Sequence, residues 1–239
     1  MNHQDLASQL QDLSITDGLE LLTSRFPGGI RFSTAFGLED QVITHFIASN
    51  KLPIEIFTLD TGRLFQQTYD VMELTRAKYN ITIAAYYPNQ QKLKDMVSTK
   101  GPNSFYQSVE NRKECCFIRK IEPLKSALSV AKVWITGIRS EQSTNRQQMN
   151  LVEWDEQFQI IKYNPLLDWS IVEVDAFLNL NNVPVNVLHA KGYPSIGCAP
   201  CTRAILHGED ARAGRWWWES SSKECGLHET KIKVEAKAA

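Results

Sequence analysis

The chain has 239 residues, of which 43% are hydrophobic and 22% charged, and its formal net charge at pH 7 is −1. These proportions predict one globular domain over residues 1–239 with a sizeable core. No apolar run approaches the roughly 18 residues of a membrane span, and the polar N-terminus lacks the basic flank and apolar stretch of a signal peptide. The near-neutral charge argues against a general nucleic-acid surface. We therefore expect a cytoplasmic protein that binds neither membranes nor nucleic acid.

Apolar runs alternate with helical segments along the first 140 residues. GIRFSTAF is typical of a buried strand, and LEDQVITHFIASN behind it of a helix with its apolar residues on one face. The same order of strand and helix then recurs. The further predicted strands are LPIEIFTL, ITIAAYYP and KVWITGIR. This alternation predicts an α/β fold with a mostly parallel sheet, helices on both faces and right-handed crossovers.

Beyond residue 140 the alternation loosens. FQIIKYNPLLDWS predicts one more strand and IVEVDAFLNL one more helix, with Ser170 and Glu173 spaced as a capping box. After Pro184 the sequence is rich in loops. We therefore expect one domain that ends in an extended C-terminal tail.

Polar or glycine-bearing turns follow three predicted strands, at the end of a parallel sheet where ligands bind. FSTAFGLED places Ser33, Thr34 and Gly37 before a helix, where hydroxyls and backbone N–H groups can hold an anion or a ribose. In LDTGR, Asp60 can accept from a ribose hydroxyl. In TGIRSEQSTNR, Arg139 can grip a phosphate or sulfate. Ordinary helix caps and a solvated arginine are the alternative interpretations of these turns.

Four of the five cysteines form two close pairs. Cys115 and Cys116 are adjacent in KECCFIRK, and Cys198 and Cys201 form the CxxC of GCAPC. Four thiolates are a ligand set for iron–sulfur clusters. Because neighbouring side chains on a helix diverge by about 100°, a tandem pair suits the separate irons of a [4Fe–4S] cluster better than one tetrahedral zinc ion. Zinc and unligated redox thiols remain the alternatives.

The fifth cysteine, Cys225, lies in the polar stretch SSSKECGLHE. A cation such as Lys223 favours the thiolate, which is the nucleophilic form of cysteine. His228, three residues further on, is a candidate to tune that thiol. A surface cysteine without a role is the alternative.

Six motifs together resemble the assimilatory sulfonucleotide reductases over about residues 20–230. They are KECCFIRKIEPL, LDTGR, TGIRSEQSTNR, NPLLDW, GYPSIGCAPCTR and KECGLH. Members with both cysteine pairs look like adenylyl-sulfate (APS) reductases with a [4Fe–4S] cluster, whereas relatives without them reduce the 3′-phosphorylated substrate, PAPS. The resemblance implies that Cys115, Cys116, Cys198 and Cys201 bind such a cluster. It also implies the adenine-nucleotide alpha-hydrolase-like fold of the ATP pyrophosphatases.

The resemblance implies thioredoxin-dependent reduction of APS to sulfite and AMP, in assimilatory sulfate reduction and cysteine biosynthesis. Cys225 matches the family nucleophile and would form an S-sulfocysteine, carried by a mobile segment of about residues 205–239. Cations must offset the repulsion between the thiolate and its anionic substrate. The motif positions that supply these cations are Lys120, Arg139, Arg212 and Arg215.

Several alternatives stay open in the sequence. The chain could be a PAPS reductase, or a nucleotide-binding cluster sensor without turnover. ATP pyrophosphatase chemistry ranks lower, because STAFGLED occupies the place of the pyrophosphatase loop SGGxDS with only one glycine. The run Trp216–Trp218 could stack on adenine but is more typical of packing, and His189 is expected to be structural. Assembly into a homo-oligomer is left open.

Overall fold

The computed structural model describes residues 3–219, apart from the side chains of residues 144 and 145. The helices are α1 (His3–Leu10), α2 (Ile15–Arg25), α3 (Leu38–Ser49), α4 (Gln66–Tyr79), α5 (Gln90–Lys100), α6 (Val109–Cys116), α7 (Glu122–Leu128) and α8 (Ile171–Leu180). The strands are β1 (Ile30–Ser33), β2 (Glu55–Leu59), β3 (Ala84–Tyr86), β4 (Val133–Ile135), β5 (Val152–Asp155) and β6 (Ile160–Tyr163). Within residues 3–219, no helix has the length and apolar character needed to cross a membrane.

The six strands form one sheet in the order β3-β2-β1-β4-β6-β5. All neighbouring pairs are parallel except β5 with β6. The chain builds outward from β1 through β2 to β3, then returns to place β4 on the other side of β1. The strand order therefore reverses between β1 and β4, and the carboxyl ends of these two strands flank the position where open α/β sheets bind their ligands.

Helices cover both faces of the sheet because side chains alternate along each strand. Phe32 and Ile135 contribute to the larger core, which packs against α1, α2, α3, α4 and α8. Phe57 and Trp134 point to the opposite face and pack against Leu124 and its neighbours in α7. The predicted fold class is thus confirmed, with both faces of the sheet buried.

The paired cysteines lie in an interrupted helical rod. α6 ends at Cys116, a π-helical turn spans Phe117–Ile121, and α7 follows directly. Single π turns inside helices widen the backbone locally and are frequent at functional sites. The predicted helix that carries the cysteines is therefore present, and its irregular turn begins at the residue after them.

Strand β5 was not predicted from the sequence, and neither were the helices α1, α2 and α5. Strand β5 is an antiparallel edge strand of four residues, too short to give a clear alternation. The buried Lys162 of β6 helps to hold it, with Nζ 2.9 Å from Glu153 Oε1 and 3.8 Å from Asp155 Oδ2. The predicted strands are also longer than the observed ones, since their last residues leave the sheet to form the turns of the site.

Part of the predicted C-terminal segment packs on the domain. The Arg203 N–H donates to the Gly214 carbonyl, and the Trp216 N–H donates to the Cys201 carbonyl. Glu219 forms a buried two-bond ion pair with Arg112. The predicted mobility of residues 205–239 stays a prediction, and Cys225 and His228 lie outside the described residues.

The predicted capping box of α8 is present and gives a test of the fold. The Ser170 hydroxyl accepts from the Glu173 N–H, and the Glu173 carboxylate accepts from the Ser170 N–H. We expect Ser170→Ala to lower the free energy of unfolding by about 1 kcal/mol, measured by urea denaturation. Ser129→Ala, which removes only an exposed hydroxyl bond to Ser126, serves as the control and should change little. Equal losses in both variants would contradict the capping role.

Candidate functional site

The turn after β1 forms one side of the ligand edge. Ser33 is half-buried, and its Oγ accepts a hydrogen bond from Trp134 Nε1 at 2.8 Å. Thr34 is buried, and its Oγ1 accepts from the Phe36 N–H at 3.0 Å. Gly37 precedes α3 and donates its N–H to Asp40. These three predicted substrate residues therefore lie together at the reversal point of the strand order.

Asp40 occupies the space in which an anion would meet this loop. Its Oδ2 accepts from the Ala35 N–H at 2.7 Å and from the Gly37 N–H at 3.3 Å. On the other side, a Cβ at Gly137 would clash with Asp40 Oδ1. The carboxyl group thus takes the backbone donors that the sequence suggested for the substrate and closes the gap between the turns after β1 and β4. The role of Gly37 as a substrate contact stays a prediction.

The environment of Asp40 changes its proton affinity. Burial raises the pKa of Asp40 to about 7, and the neighbouring charge of Glu39 raises it further. The two backbone hydrogen bonds and Arg146 act in the opposite direction on this pKa. Asp40 is therefore partly protonated near neutral pH, which the sequence did not indicate.

The LDTGR turn after β2 carries Asp60. Its Oδ1 accepts both the Gly62 N–H at 2.8 Å and the Tyr69 hydroxyl at 2.9 Å. The bond to Gly62 closes the turn and does not cap a helix, because α4 begins at Gln66 with Phe65 as its N-cap. Because both bonds use Oδ1, Oδ2 is the oxygen that suits a ribose hydroxyl.

The same turn joins the sheet edge to the CxxC loop. Thr61 Oγ1 lies 3.2 Å from Cys198 Sγ, and the Ala199 N–H donates to the Arg63 carbonyl at 2.8 Å. These contacts fix the distance between the predicted ribose site and the cysteines.

The four predicted ligand cysteines line one small cavity, although the two pairs are more than 80 residues apart in sequence. All four are thiols, with Cys198 buried and the other three half-buried. The full lining is Arg63, Phe105, Arg112, Cys115, Cys116, Arg119, Lys120, Cys198, Pro200 and Cys201. Four of the ten lining residues are cationic, so the setting suits a centre of net negative charge.

Three arginines of this cavity were not predicted from the sequence, namely Arg63 of the LDTGR turn and two that contact cysteines. Arg119 hydrogen-bonds Cys115 and donates to the Thr61 carbonyl. Arg112 hydrogen-bonds Cys116 as well as its partner Glu219. Each of these two arginines is four residues from its cysteine, a spacing that places side chains on one helical face, so this signal was available in the sequence.

Burial favours the protonated form of two of the cavity thiols, Cys115 and Cys201. Burial raises the pKa of Cys201 to about 12, the charges of Cys198 and Cys116 add to this, and Lys120 and Arg215 oppose it. Burial also raises the pKa of Cys115, against the effect of Arg119. Within residues 3–219, no group of three or more His, Cys, Asp or Glu side chains has the geometry to hold one metal ion.

Arg139 lies beside the reversal point, but acidic groups already surround it. The side chain is 5% exposed. Its Nε donates to Glu39 at 2.8 Å, and its Nη1 donates to Glu141 at 3.1 Å and to the Trp169 carbonyl at 3.2 Å. A substrate anion would have to share this guanidinium with Glu39, so binding by Arg139 stays a prediction.

The other predicted cations differ in their placement. Lys120 lies in the π turn and lines the cysteine cavity. Arg215 is buried, with Nη1 3.3 Å from Ser195 Oγ and its guanidinium 4.9 Å from the Trp216 ring centre. The Arg212 N–H donates to Asp210. Lys120 and Arg215 both act on the pKa of Cys201, which places them near the cavity.

Trp216 and Trp218 pack against the protein, as the simpler interpretation predicted, whereas Trp217 is 41% exposed. Trp216 is buried between the guanidinium groups of Arg112 and Arg215, at 4.7 and 4.9 Å from its ring centre. Trp218 lies edge-on to Tyr106, with ring centres 4.5 Å apart. These contacts fix residues 216–219 beside the cysteine cavity.

Comparisons with known proteins agree with this architecture. Residues 29–204 match the model of the phosphoadenosine phosphosulfate reductase domain. The adenosine 5′-phosphosulfate reductase of Burkholderia cepacia is 51% identical over 204 residues, 85% of this chain and 82% of the relative. The enzyme of that name from Allochromatium vinosum is 51% identical over 213 residues, 88% of this chain and 83% of the relative.

Solved structures give the same result. The crystal structure of phosphoadenylyl-sulfate reductase from Candida auris in a phosphate complex has a TM-score of 0.72 and 31% identity, covering 84% of this chain and 96% of that chain. FMN adenylyltransferase from Candida glabrata has a TM-score of 0.52 at 16% identity, covering 90% of this chain and 79% of that chain, and is similar in fold alone.

The fold and the site together define an adenine-nucleotide alpha-hydrolase-like domain with a four-cysteine cavity beside its ligand edge. The chain belongs to the phosphoadenosine phosphosulfate reductase family. The family and fold predicted from the motifs are thereby confirmed, and so is the enzyme class, an oxidoreductase acting on a sulfur group.

The raised pKa of Asp40 predicts how the stability of the protein depends on pH. An unfolded aspartate has a pKa of about 4, so between about pH 4 and 7 the folded chain binds a proton that the unfolded chain does not. Stability therefore falls as the pH rises through this window. Asp40→Asn keeps an oxygen acceptor for Ala35 and Gly37 but cannot ionise.

We expect the free energy of unfolding of the wild type to fall more steeply than that of Asp40→Asn between about pH 5 and 7.5, measured by urea denaturation. Asp60→Asn is the matched control, because it changes a carboxylate on the neighbouring turn. An identical pH dependence in the wild type and Asp40→Asn would contradict the shifted pKa.

Proposed function

We propose that this chain is an adenylyl-sulfate reductase that uses thioredoxin to convert APS into sulfite and AMP. The observation that carries the proposal is that the four predicted ligand cysteines line one cavity, together with four cationic side chains, beside the ligand edge of the sheet. The two relatives at 51% identity, both named adenosine 5′-phosphosulfate reductases, support the choice of substrate. The setting would be assimilatory sulfate reduction for cysteine biosynthesis in the cytoplasm.

The cysteine cavity suits a [4Fe–4S] cluster better than a single zinc ion. Cys115 and Cys116 are adjacent on one helix, where side chains diverge by about 100°, so they suit separate irons that each take one thiolate. Thiolates held near Arg112, Arg119 and Lys120 have their charge offset. When bound, such a cluster would supply a fixed, negatively charged centre with strong effects on the neighbouring electrostatics. Cys115, Cys116, Cys198 and Cys201 would hold it.

The chemical step would be a displacement at sulfur. The Cys225 thiolate attacks the sulfate sulfur of APS, an S–S bond forms, the S–O bond to the phosphate breaks, and AMP leaves with the electron pair. A thioredoxin thiolate then attacks Cys225 Sγ and releases sulfite. The second thioredoxin thiol resolves the mixed disulfide, so the two electrons come from thioredoxin. His228 would tune the Cys225 thiol.

Both reactants in the first step are negative, which gives the cations of the site their role. Lys120 and Arg215 lie near the cysteine cavity, where they would bind the phosphosulfate and stabilise the charge that moves to the leaving oxygen. Arg212 and Arg139 would complete the anion site. Asp60, Ser33 and Thr34 would bind the ribose or phosphate oxygens from the sheet edge.

A turnover assay tests the nucleophile and the substrate together. We expect anaerobically purified wild type, with thioredoxin and its reductase, to form sulfite from APS, and Cys225→Ser to lose at least about 1,000-fold of this rate because the attacking sulfur is gone. PAPS should be a poor substrate. The control is Cys225→Ser assayed for bound iron, which should equal that of the wild type.

Other outcomes of this assay point to other functions. Sulfite from PAPS alone would make the chain a PAPS reductase, as in the Candida auris relative. Undiminished sulfite formation by Cys225→Ser would exclude that residue as the nucleophile. A protein with bound iron that forms no sulfite from either nucleotide would be a cluster sensor.

The ligand set has a separate test that does not depend on turnover. We expect Cys115→Ser and Cys201→Ser to lose most of the iron and sulfide and the broad visible absorption of a cluster, because a [4Fe–4S] centre needs four cysteine thiolates. Iron and sulfide are measured chemically in freshly purified protein. Stoichiometric zinc without sulfide in the wild type would support the zinc alternative instead.

A further inference from the structure

We propose that Trp134 is a positioning residue that aims the Ser33 hydroxyl at the substrate; this inference rests on the proposed function. Trp134 lies in β4 and Ser33 ends β1, so the bond between them crosses the reversal point of the strand order. Trp134 Nε1 donates to Ser33 Oγ at 2.8 Å. The bond joins a core residue to a residue of the ligand edge.

The direction of this bond decides what Ser33 can do. An indole nitrogen only donates, whereas a hydroxyl has one proton to give and can also accept. Since Ser33 Oγ accepts from Trp134, its own proton is left to donate. Among the hydrogen bonds within residues 3–219, that proton has no acceptor. Phosphate and sulfate oxygens of a substrate carry lone pairs and no protons, so they suit this hydroxyl.

Trp134 is itself held in place. The residue is 1% exposed, and the ring of Phe158 meets it edge-on with centres 5.5 Å apart. The Lys162 ammonium lies 5.6 Å from the ring centre and is paired with Glu153. A cation at an indole face interacts with its π electrons, and this polarisation strengthens the N–H as a donor. The hydroxyl is thus held by a donor that cannot swing away.

The location of the pair fits a contact with the anionic part of the substrate. Trp134 packs with Leu124 and Leu128 of α7, the helix that continues from Cys116 through Lys120. The Ser33 hydroxyl therefore lies on the sheet face from which the predicted phosphosulfate ligand Lys120 approaches. A cation and a hydroxyl donor on the same face of the sheet would together fix the orientation of the phosphosulfate.

A double-mutant cycle tests the coupling. The variants are Ser33→Ala, Trp134→Phe and the double variant, with Phe158→Leu as the control that changes packing around Trp134 without touching its N–H. KM for APS and kcat are measured with thioredoxin, together with iron content and melting temperature. We expect Ser33→Ala to raise KM about tenfold and Trp134→Phe to raise it about threefold, with kcat changed less than about twofold.

In the Ser33→Ala background, Trp134→Phe should change KM by less than about 1.5-fold, because the hydroxyl that it orients is absent. Independent effects of the two substitutions, or a KM increase in Phe158→Leu as large as that in Trp134→Phe, would overturn the proposal.

A second measurement does not depend on enzyme activity, and it does not require the Trp134→Phe variant to fold. The indole N–H resonance of Trp134 is followed by NMR while APS is added to Cys225→Ser protein, whose predicted nucleophile is replaced. We expect a downfield shift, because a hydroxyl that donates becomes a stronger acceptor, and no such shift with Ser33→Ala added. Binding of APS without movement of this resonance would overturn the proposal. Absence of sulfite formation in the wild type would instead refute the proposed function, while this titration still tests the pair.

Discussion

The joining of the LDTGR turn to the CxxC loop is the constraint on which the rest of the site depends. The Ala199 N–H bond to the Arg63 carbonyl and the contact between Thr61 and Cys198 connect the end of β2 to a loop that is about 140 residues away in sequence. Without them, the sheet edge and the cysteines would be separate features. With them, a ligand that reaches Asp60 also lies within a few residues of the cysteine cavity.

Buried cations cluster around this junction, and two of them are paired with carboxylates. Arg112, Arg119, Arg139 and Arg215 are each at most 7% exposed, and an unpaired buried cation would be strongly destabilising. The structure pairs Arg112 with Glu219 and Arg139 with Glu39, and it places Arg119 between Cys115 and a carbonyl oxygen. The charges of the arginines and the protonation of the cysteines therefore depend on one another.

The sequence predicted the parallel sheet, because hydrophobic alternation along the chain reflects the strands and helices. It predicted the meeting of the four cysteines because the two cysteine pairs belong to motifs that resemble those of one family. It did not predict β5, since four residues at an edge give little pattern. It also missed that Asp40 takes the backbone donors of Ala35 and Gly37, although Asp40 stands three residues after Gly37, the spacing of a capping box. Arg112 and Arg119 were within reach of the sequence, since both lie one helical turn from a cysteine.

The buried ion pair between Glu219 and Arg112 limits how far Cys225 can lie from the cysteine cavity. Cys225 is the sixth residue after Glu219 in the sequence, and an extended chain spans at most about 3.6 Å per residue. The thiol is therefore tethered within roughly 22 Å of a fixed point beside the cysteine cavity. A nucleophile held on so short a tether has an effective concentration in the millimolar range at a site that the tether can reach. In the proposed chemistry, the encounter between the Cys225 thiol and bound substrate would be intramolecular, whereas the substrate and the reductant each arrive by diffusion.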